Sequence, residues 1–327
     1  MKKVLIVGPD FFGYNESIAS AFKNNNWNTE VVNYFDGRSM SFTQLISSTF
    51  KSNYYFDINK IKLNTNYELI LVIKGTKLSI DKILELKKYC KKIYLWIMDP
   101  IKLYPEVSEK LSIFDKVFTF QKSDLSILSN QNINSIYLPL FYDDTIFRIE
   151  TNKKKSIDLI FIGNLYEQRA YDLNLFCKTV IDSNENLSFH IYGGFGFLKL
   201  INYIKIKRKF KYLSKFLKFG LINPRKAAEL YTTIKVGINI HVSSQTGLNM
   251  RFFELYGSGV IQILPNCNIE LEEVDLNNES YICSELNVKE VMRIIEFSNN
   301  KKLDFHNVVH SSTNRIKEII NEYNHKN

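Results

Sequence analysis

Residues 246–265, TGLNMRFFELYGSGVIQILP, place a glycine-bearing loop, an Arg and a Glu three positions apart, a glycine stop and an apolar run in immediate succession. A helix opening at Asn249 would present free N–H groups and a partial positive charge, which suit phosphate. Gly247 would let a ligand approach the backbone. Arg251, in the first turn, could grip a diphosphate bidentately. Glu254 lies one turn on, on the same face, where a carboxylate can accept the two hydroxyls of a ribose. The set suits a nucleoside diphosphate. The same residues also read as an ordinary i, i+3 ion pair worth about 0.2–0.5 kcal/mol, and the local pattern leaves both readings open.

In open α/β sheets, ligands bind beyond the carboxyl ends of the strands, so those positions are the next candidates. Gly8, Pro9, Asp10 and Gly13 follow the first apolar run, and Asp99-Pro100 follows Ile93–Ile97. Gly163, Asn164 and Arg169 follow Leu159–Ile162, and Gly193-Gly194 follow Phe189–Tyr192. His241, Ser243 and Ser244 lead from Val236–Ile240 toward Gly247. A carboxylate such as Asp99 in a cleft could act as a general base on an acceptor hydroxyl; Asp-Pro is equally an ordinary turn starter. Asp10 is a weaker candidate of the same kind.

Other chemistries fail on spacing. Gly8–Gly13 lacks the G-x-G-x-x-G of a nicotinamide enzyme, and no Walker lysine motif follows any strand. H-E-x-x-H, G-x-S-x-G and D-x-D do not occur. Of five histidines only His306 and His310 stand four apart, which reads as incidental. Cys90, Cys177, Cys267 and Cys283 are scattered without C-x-x-C spacing, so no zinc site and no disulfide framework is expected.

The elements that must position these residues alternate. Val4–Val7, Glu30–Val32, Leu69–Ile73, Ile93–Ile97, Lys116–Phe120 and Ser135–Leu138 read as strands, with helices expected over 15–25, 79–92 and 123–130. Residues 139–156, with Pro139, an acidic pair and a lysine run, read as a connection. The alternation then restarts, with helices expected near 166–181, 224–233, 249–257, 287–297 and 306–323. This predicts two doubly wound α/β halves, at 1–148 and 149–305, and a final helix over 306–327. No internal sequence repeat is evident.

The 327 residues suffice for two cores. A net charge of +9 favours an anionic partner. No apolar stretch approaches the roughly 18 residues of a membrane span, and the four-residue apolar start is too short for a signal peptide. Residues 199–218, KLINYIKIKRKFKYLSKFLK, hold eight Lys or Arg interleaved with Ile, Leu, Phe and Tyr. They read as a basic amphipathic helix, either a solvated face or a contact for an anionic membrane surface or ligand.

Seven motifs in order resemble the GT-B glycosyltransferases, and within them the spore-protein CgeB/YkvP-like branch related to the group-1 enzymes. They are LWIMDP (95–100), FDKVFTFQKSDLSIL (114–128), YLPLFYDDTIF (137–147), DLIFIGNLYEQR (158–169), HIYGG (190–194), GLNMRFFELYGSG (247–259) and HSSTNRIKEII (310–320). The resemblance implies two Rossmann-like domains facing a cleft, with the C-terminal helix packing back on the N-terminal domain. It implies a nucleotide-sugar donor held by the C-terminal half through Gly163, Asn164, Arg169, Gly193, Gly247, Asn249, Arg251 and Glu254. The acceptor would lie beside Asp10, Gly13 and Asp99, with Asp99 and Arg251 in catalytic roles. No cofactor or metal is implied, because Arg and a helix dipole stabilise the leaving diphosphate.

One departure stands out. Group-1 enzymes usually pair two glutamates eight positions apart, and here Thr246 occupies the earlier position. The expected activity is sugar transfer from a nucleoside-diphosphate sugar to an acceptor hydroxyl in bacterial surface polysaccharide or glycolipid assembly, at the cytoplasmic face of a membrane. The acceptor would be lipid-linked or a polysaccharide, and nucleic acid is not expected as a partner. A protein or DNA acceptor, or a non-catalytic nucleotide-sugar-binding protein, are the alternatives.

Overall fold

The computed structural model describes residues 1–10, 12–35, 54–55, 57–150, 153–165, 167–194, 199–220, 222–241, 245–265, 281–283, 285–300 and 308–325. Ser243, Ser244, Cys267 and His306 lie outside the described residues. The chain divides into two units. The first comprises Met1–Phe141, Ser243–Leu248 and Val308–Asn327, and the second Tyr142–Val242 and Asn249–Asn307.

The first unit is built on β1 (Lys3–Pro9), α1 (Tyr14–Asn24), β2 (Asn28–Tyr34), β3 (Tyr54–Tyr55), β4 (Tyr67–Ile73), α2 (Ile80–Lys87), β5 (Cys90–Ile97), α3 (Pro105–Ser108), β6 (Lys116–Thr119), α4 (Ser123–Asn130) and β7 (Ser135–Tyr137). Its strands run in the order β3-β2-β1-β4-β5-β6-β7. Every pairing is parallel. Runs such as Leu69–Ile73 are buried on both faces, which is why they read as continuous apolar stretches rather than alternating ones. Leu5, Val7, Ile70, Val72, Leu95 and Val117 share one core with Ile83 and Leu86 of α2.

The second unit holds β8 (Ile157–Asn164), α5 (Glu167–Asp182), β9 (Phe189–Gly194), α6 (Lys199–Lys209), β10 (Leu217–Lys218), α7 (Pro224–Tyr231), β11 (Ile234–Ile238), α8 (Met250–Gly257), β12 (Ile261–Leu264), β13 (Tyr281–Cys283) and α9 (Val288–Asn300). Its order is β10-β9-β8-β11-β12-β13, again parallel throughout. Numbered within each unit, both sheets therefore contain the order 3-2-1-4-5-6. The repeat that the sequence does not display is present in the topology, because strand order depends on apolar runs and connections rather than on residue identity.

The last helix, α10 (Ser312–Asn324), belongs to the first unit and packs on α1. The Trp27 and Tyr323 rings meet edge-on with centroids 5.3 Å apart. The Tyr323 hydroxyl donates to Glu68 at 2.5 Å. Buried Arg315 donates to the Leu140 carbonyl and contacts His310.

Three expectations are corrected. The basic stretch 199–218 is not one helix. α6 ends at Lys209, a 3₁₀ turn spans Leu213–Lys215, and Leu217-Lys218 forms an edge strand. Phe210, Leu213 and Leu217 are buried in the core of the second unit, and the chain has to turn to place them there. The helix expected over 79–92 stops at Lys87, because β5 begins at Cys90 beside Tyr67. The first break between units falls at Phe141/Tyr142 rather than 148/149. The Tyr142 ring packs on Gly257 and near Tyr256, and Phe147 lies against Tyr231, all within the second unit.

Among the described residues no helix is long and apolar enough to cross a membrane.

Candidate functional site

In the second unit the connections leave β8 to one side and β11 to the other, so the crevice beyond the ends of these two adjacent strands is the topological switch point. Phe161 pairs with Ile238. Asn164 and His241 each lie three residues further on. Arg169, near the start of α5, reaches back to within 3.5 Å of the Asn164 carbonyl. On the other side of β8, Gly163 and Asn164 pair with Gly193 and Gly194 of β9. Three glycines thus leave neighbouring strand ends without side chains.

His241 is held neutral. Its Nε2 accepts the Asn249 backbone N–H at 3.3 Å, which places the ring proton on Nδ1. That Nδ1 has no hydrogen-bond partner among the described residues. Burial, and then the positive charge of Arg169, push its pKa down to about 3, against a small opposing pull from the Asn239 backbone.

Asn249 starts α8. Its side chain caps the helix by accepting the Phe252 N–H at 2.9 Å. It also exchanges hydrogen bonds with Asn239, at 2.9 and 3.2 Å. Asn239 donates to Gln262 at 3.1 Å, and Gln262 donates to the Phe252 carbonyl at 3.0 Å. Asn239 and Gln262 are fully enclosed. This satisfied polar chain ties the end of β11, the first turn of α8 and β12 into one piece.

Arg251 and Glu254 meet, as their i, i+3 spacing predicts. Glu254 is 2% exposed and its Oε2 receives Arg251 Nη1. The same Nη1 donates to the Tyr231 hydroxyl at 2.6 Å, and the guanidinium lies 5.9 Å from the Tyr231 ring centre. Burial raises the Tyr231 hydroxyl above its ordinary pKa, so it stays protonated and can serve as an acceptor while neutral. Glu254 is thus presented to Arg251 rather than to solvent, and it fixes the direction of the guanidinium.

The two glycines at the end of the helix serve separate purposes. Gly259 adopts φ +66°, the left-handed conformation that stops the chain. Gly257 is required by contact, since a Cβ there would lie 2.4 Å from the Tyr142 ring.

Gly247 belongs to the first unit. A Cβ there would meet the Phe120 carbonyl oxygen and the Gln121 Cβ, both at 2.7 Å. Thr246 bonds Ser123 through its hydroxyl at 2.8 Å and Gln121 through its N–H at 3.3 Å. The space before Gly247 is therefore filled by the loop after β6, and close approach to its backbone is made by the protein itself.

Also in the first unit, Asp99 follows β5 and Lys74 follows the adjacent β4. Lys74 Nζ lies 2.6 Å from Asp99 Oδ2, and the Tyr104 hydroxyl donates to the same oxygen at 3.2 Å. Lys74 sits at φ +61°, a strained conformation for lysine that turns it back beside the strand end. Asp10 follows β1, its N–H bonded to the Tyr34 carbonyl at 3.0 Å. Gly13 precedes α1 at φ +75°. Among the described residues no three His, Cys, Asp or Glu side chains gather as a metal site.

The structure thus brings Asn164, Arg169, His241 and Asn249 to one end of one sheet, and Arg251 and Glu254 follow in the first two turns of α8, where they pair with each other and with Tyr231. Sequence reasoning missed Tyr231, Asn239, Gln262 and Lys74. Gln262 and Asn239 carried a signal, being amides in otherwise apolar strands. Tyr231 carried none, since its partner is twenty residues away.

No family model matches the sequence, and no curated protein is similar to it in sequence. Solved structures do share its fold. A UDP-GlcNAc 2-epimerase from Methanocaldococcus jannaschii is similar with a TM-score of 0.60 at 12% identity, over 99% of this chain and 100% of the other. A DNA-modifying β-glucosyltransferase, solved with and without its substrate uridine diphosphoglucose, gives 0.54 at 12%, over 98% and 96%. The lipopolysaccharide outer core galactosyltransferase WaaB, in its apo form, gives 0.55 at 12%, over 99% and 100%. The fold is of the GT-B type. At these identities the likeness reaches the fold and no further, and the branch resemblance rests on the motifs alone.

Proposed function

We propose that this chain is a glycosyltransferase that takes its sugar from a nucleoside-diphosphate donor bound at the switch point of the second unit. One observation carries the reading: Arg169, the buried neutral imidazole of His241 and the first turn of α8 converge where three glycines clear the strand ends. A diphosphate would offset the Arg169 charge and face the helix dipole. Arg251, held by Glu254 and Tyr231, would stabilise charge developing on the leaving diphosphate. Gly163, Asn164 and Gly193 would pass close to the donor.

In transfer, the bond from the sugar's anomeric carbon to the diphosphate breaks and one to the acceptor oxygen forms. The acceptor hydroxyl loses its proton and the nucleoside diphosphate leaves. On the acceptor side we assign Asp10, Gly13 and Asp99. Lys74 and Tyr104 both engage Oδ2 of Asp99 and fix the carboxylate, which leaves Oδ1 to receive an acceptor hydroxyl. A lipid-linked or polysaccharide acceptor fits the resemblance of the motifs and the basic surface. A protein or DNA acceptor, and nucleotide-sugar binding without catalysis, are the alternatives.

The same fold serves 2-epimerases, so the test must separate the two chemistries. UDP-, GDP-, ADP-, TDP- and CMP-linked sugars are incubated with the chain, and nucleotide release and sugar configuration are followed together. Release of nucleotide with the sugar transferred or hydrolysed supports the reading. A donor recovered intact but epimerised replaces transfer with epimerisation, and unchanged donors across the panel overturn it.

A further inference from the structure

α6 and the turn behind it carry a surface that the nucleotide site does not use. Leu200, Ile201 and Ile204 are 60%, 48% and 39% exposed. At 100° per residue they share one face of α6 with Arg208, flanked by Lys205 and Lys209 on one side and Lys207 on the other. Phe219 is a further exposed ring at the flank of the helix. It is 58% exposed, with its ring edge-on to Tyr203 of α6 at 5.1 Å. The opposite side of the segment is anchored in the core through Phe210, Leu213 and Leu217, so this face points outward on a fixed base.

The charge is of one sign. From Asn186 to Ala228 there are ten Lys or Arg and no Asp or Glu. No carboxylate among the described residues pairs with Lys205, Lys207, Arg208 or Lys211. Isolated exposed leucines are ordinary. Three large aliphatic side chains on one face of an anchored helix, set among cations and with an exposed Phe219 at the flank, are not.

We infer that this face docks on an anionic lipid bilayer. α6 would lie in the plane of the interface, with Leu200, Ile201, Ile204 and Phe219 at the acyl boundary and the cations on headgroup phosphates. The apolar residues distinguish this partner from other polyanions. A nucleic acid offers phosphates, and flat bases for aromatic rings, but no phase for aliphatic side chains. An eleven-residue helix gives reversible attachment rather than insertion. The inference is independent of the nucleotide site.

The test uses the full chain without nucleotide. It is sedimented with vesicles of phosphatidylcholine alone and with vesicles containing phosphatidylglycerol. Binding is expected to the second and not the first, and to weaken as salt rises. Lys205→Gln/Arg208→Gln should weaken it about fivefold per charge removed. Ile201→Ser/Ile204→Ser, at exposed positions, should weaken it on the order of tenfold while circular dichroism stays unchanged. Absence of binding to phosphatidylglycerol vesicles overturns the inference. So does equal binding by native chain and the Ile201→Ser/Ile204→Ser variant, which would mark a purely electrostatic face, or preferential capture by duplex DNA over vesicles.

Discussion

His241 offers a test of the site's electrostatics through stability. In the folded chain its pKa is about 3; unfolded, it returns to about 6.5. Between these values the unfolded state holds the extra proton, so stability rises with pH. The contribution is fully present above about pH 6.5 and is lost as pH falls toward 3. Between pH 7 and pH 5 the loss is about 2 kcal/mol, or about thirtyfold in an opening equilibrium. His241→Gln removes the titration and keeps an acceptor for the Asn249 N–H. Tryptophan fluorescence would not see the change, because Trp27 and Trp96 both lie in the first unit. Hydrogen exchange of β11 and α8 amides, corrected for intrinsic rates, does report it. The native chain should lose about thirtyfold more protection than the variant on going from pH 7 to pH 5. His190, which burial also lowers, is common to both chains and cancels. Equal losses in the two, within about threefold, would refute the burial of a neutral His241 beside Arg169.

Arg251→Ala should destabilise the second unit by about 3–5 kcal/mol, because it leaves Glu254 buried without its cation. Replacing both residues by leucine should recover most of that loss in circular-dichroism melts, and no recovery would show the pair is not the cause. Gly247→Ala should cost about 1–3 kcal/mol, since the Phe120 backbone cannot give way; tryptophan fluorescence of the first unit reads it, and an unchanged midpoint counts against the packing described. Asn249→Ala should cost about 1–2 kcal/mol from loss of the cap, read as faster exchange of α8 amides. Asp99→Asn should lower transfer by about a hundredfold or more if the carboxylate takes the acceptor proton, with nucleotide affinity unchanged; full activity would leave Asp99 with its Lys74 pairing alone.

Much of the fold was legible because parallel strands buried on both faces leave continuous apolar runs, as Leu69–Ile73 and Ile93–Ile97 do. The edge strands β3 and β10, at two residues each, are too short to leave such a trace. The basic stretch misled because Phe210 and Leu213 continue a helical spacing while the core pulls the chain into a turn. At the site, Asn249, Arg251 and Glu254 were readable since helix geometry fixes i, i+3 neighbours. Their other partners, Tyr231 and Asn239, and Gln262 behind Asn239, come from separate elements and needed the sheet order. Gly247 shows the limit of motif reading: a glycine can make room for the protein's own chain as well as for a ligand.

On the reading proposed above, a nucleoside diphosphate binds beside Arg169, His241 and the start of α8. The direct measurement is calorimetric titration of UDP, GDP, ADP, TDP and CMP into the native chain and into Arg169→Ala. One diphosphate should bind saturably. Loss of Arg169, a charged contact worth about 1.5–3 kcal/mol, should weaken it by about ten- to a hundredfold. Binding unaffected by Arg169→Ala, or no binding of any of the five, would contradict the claim.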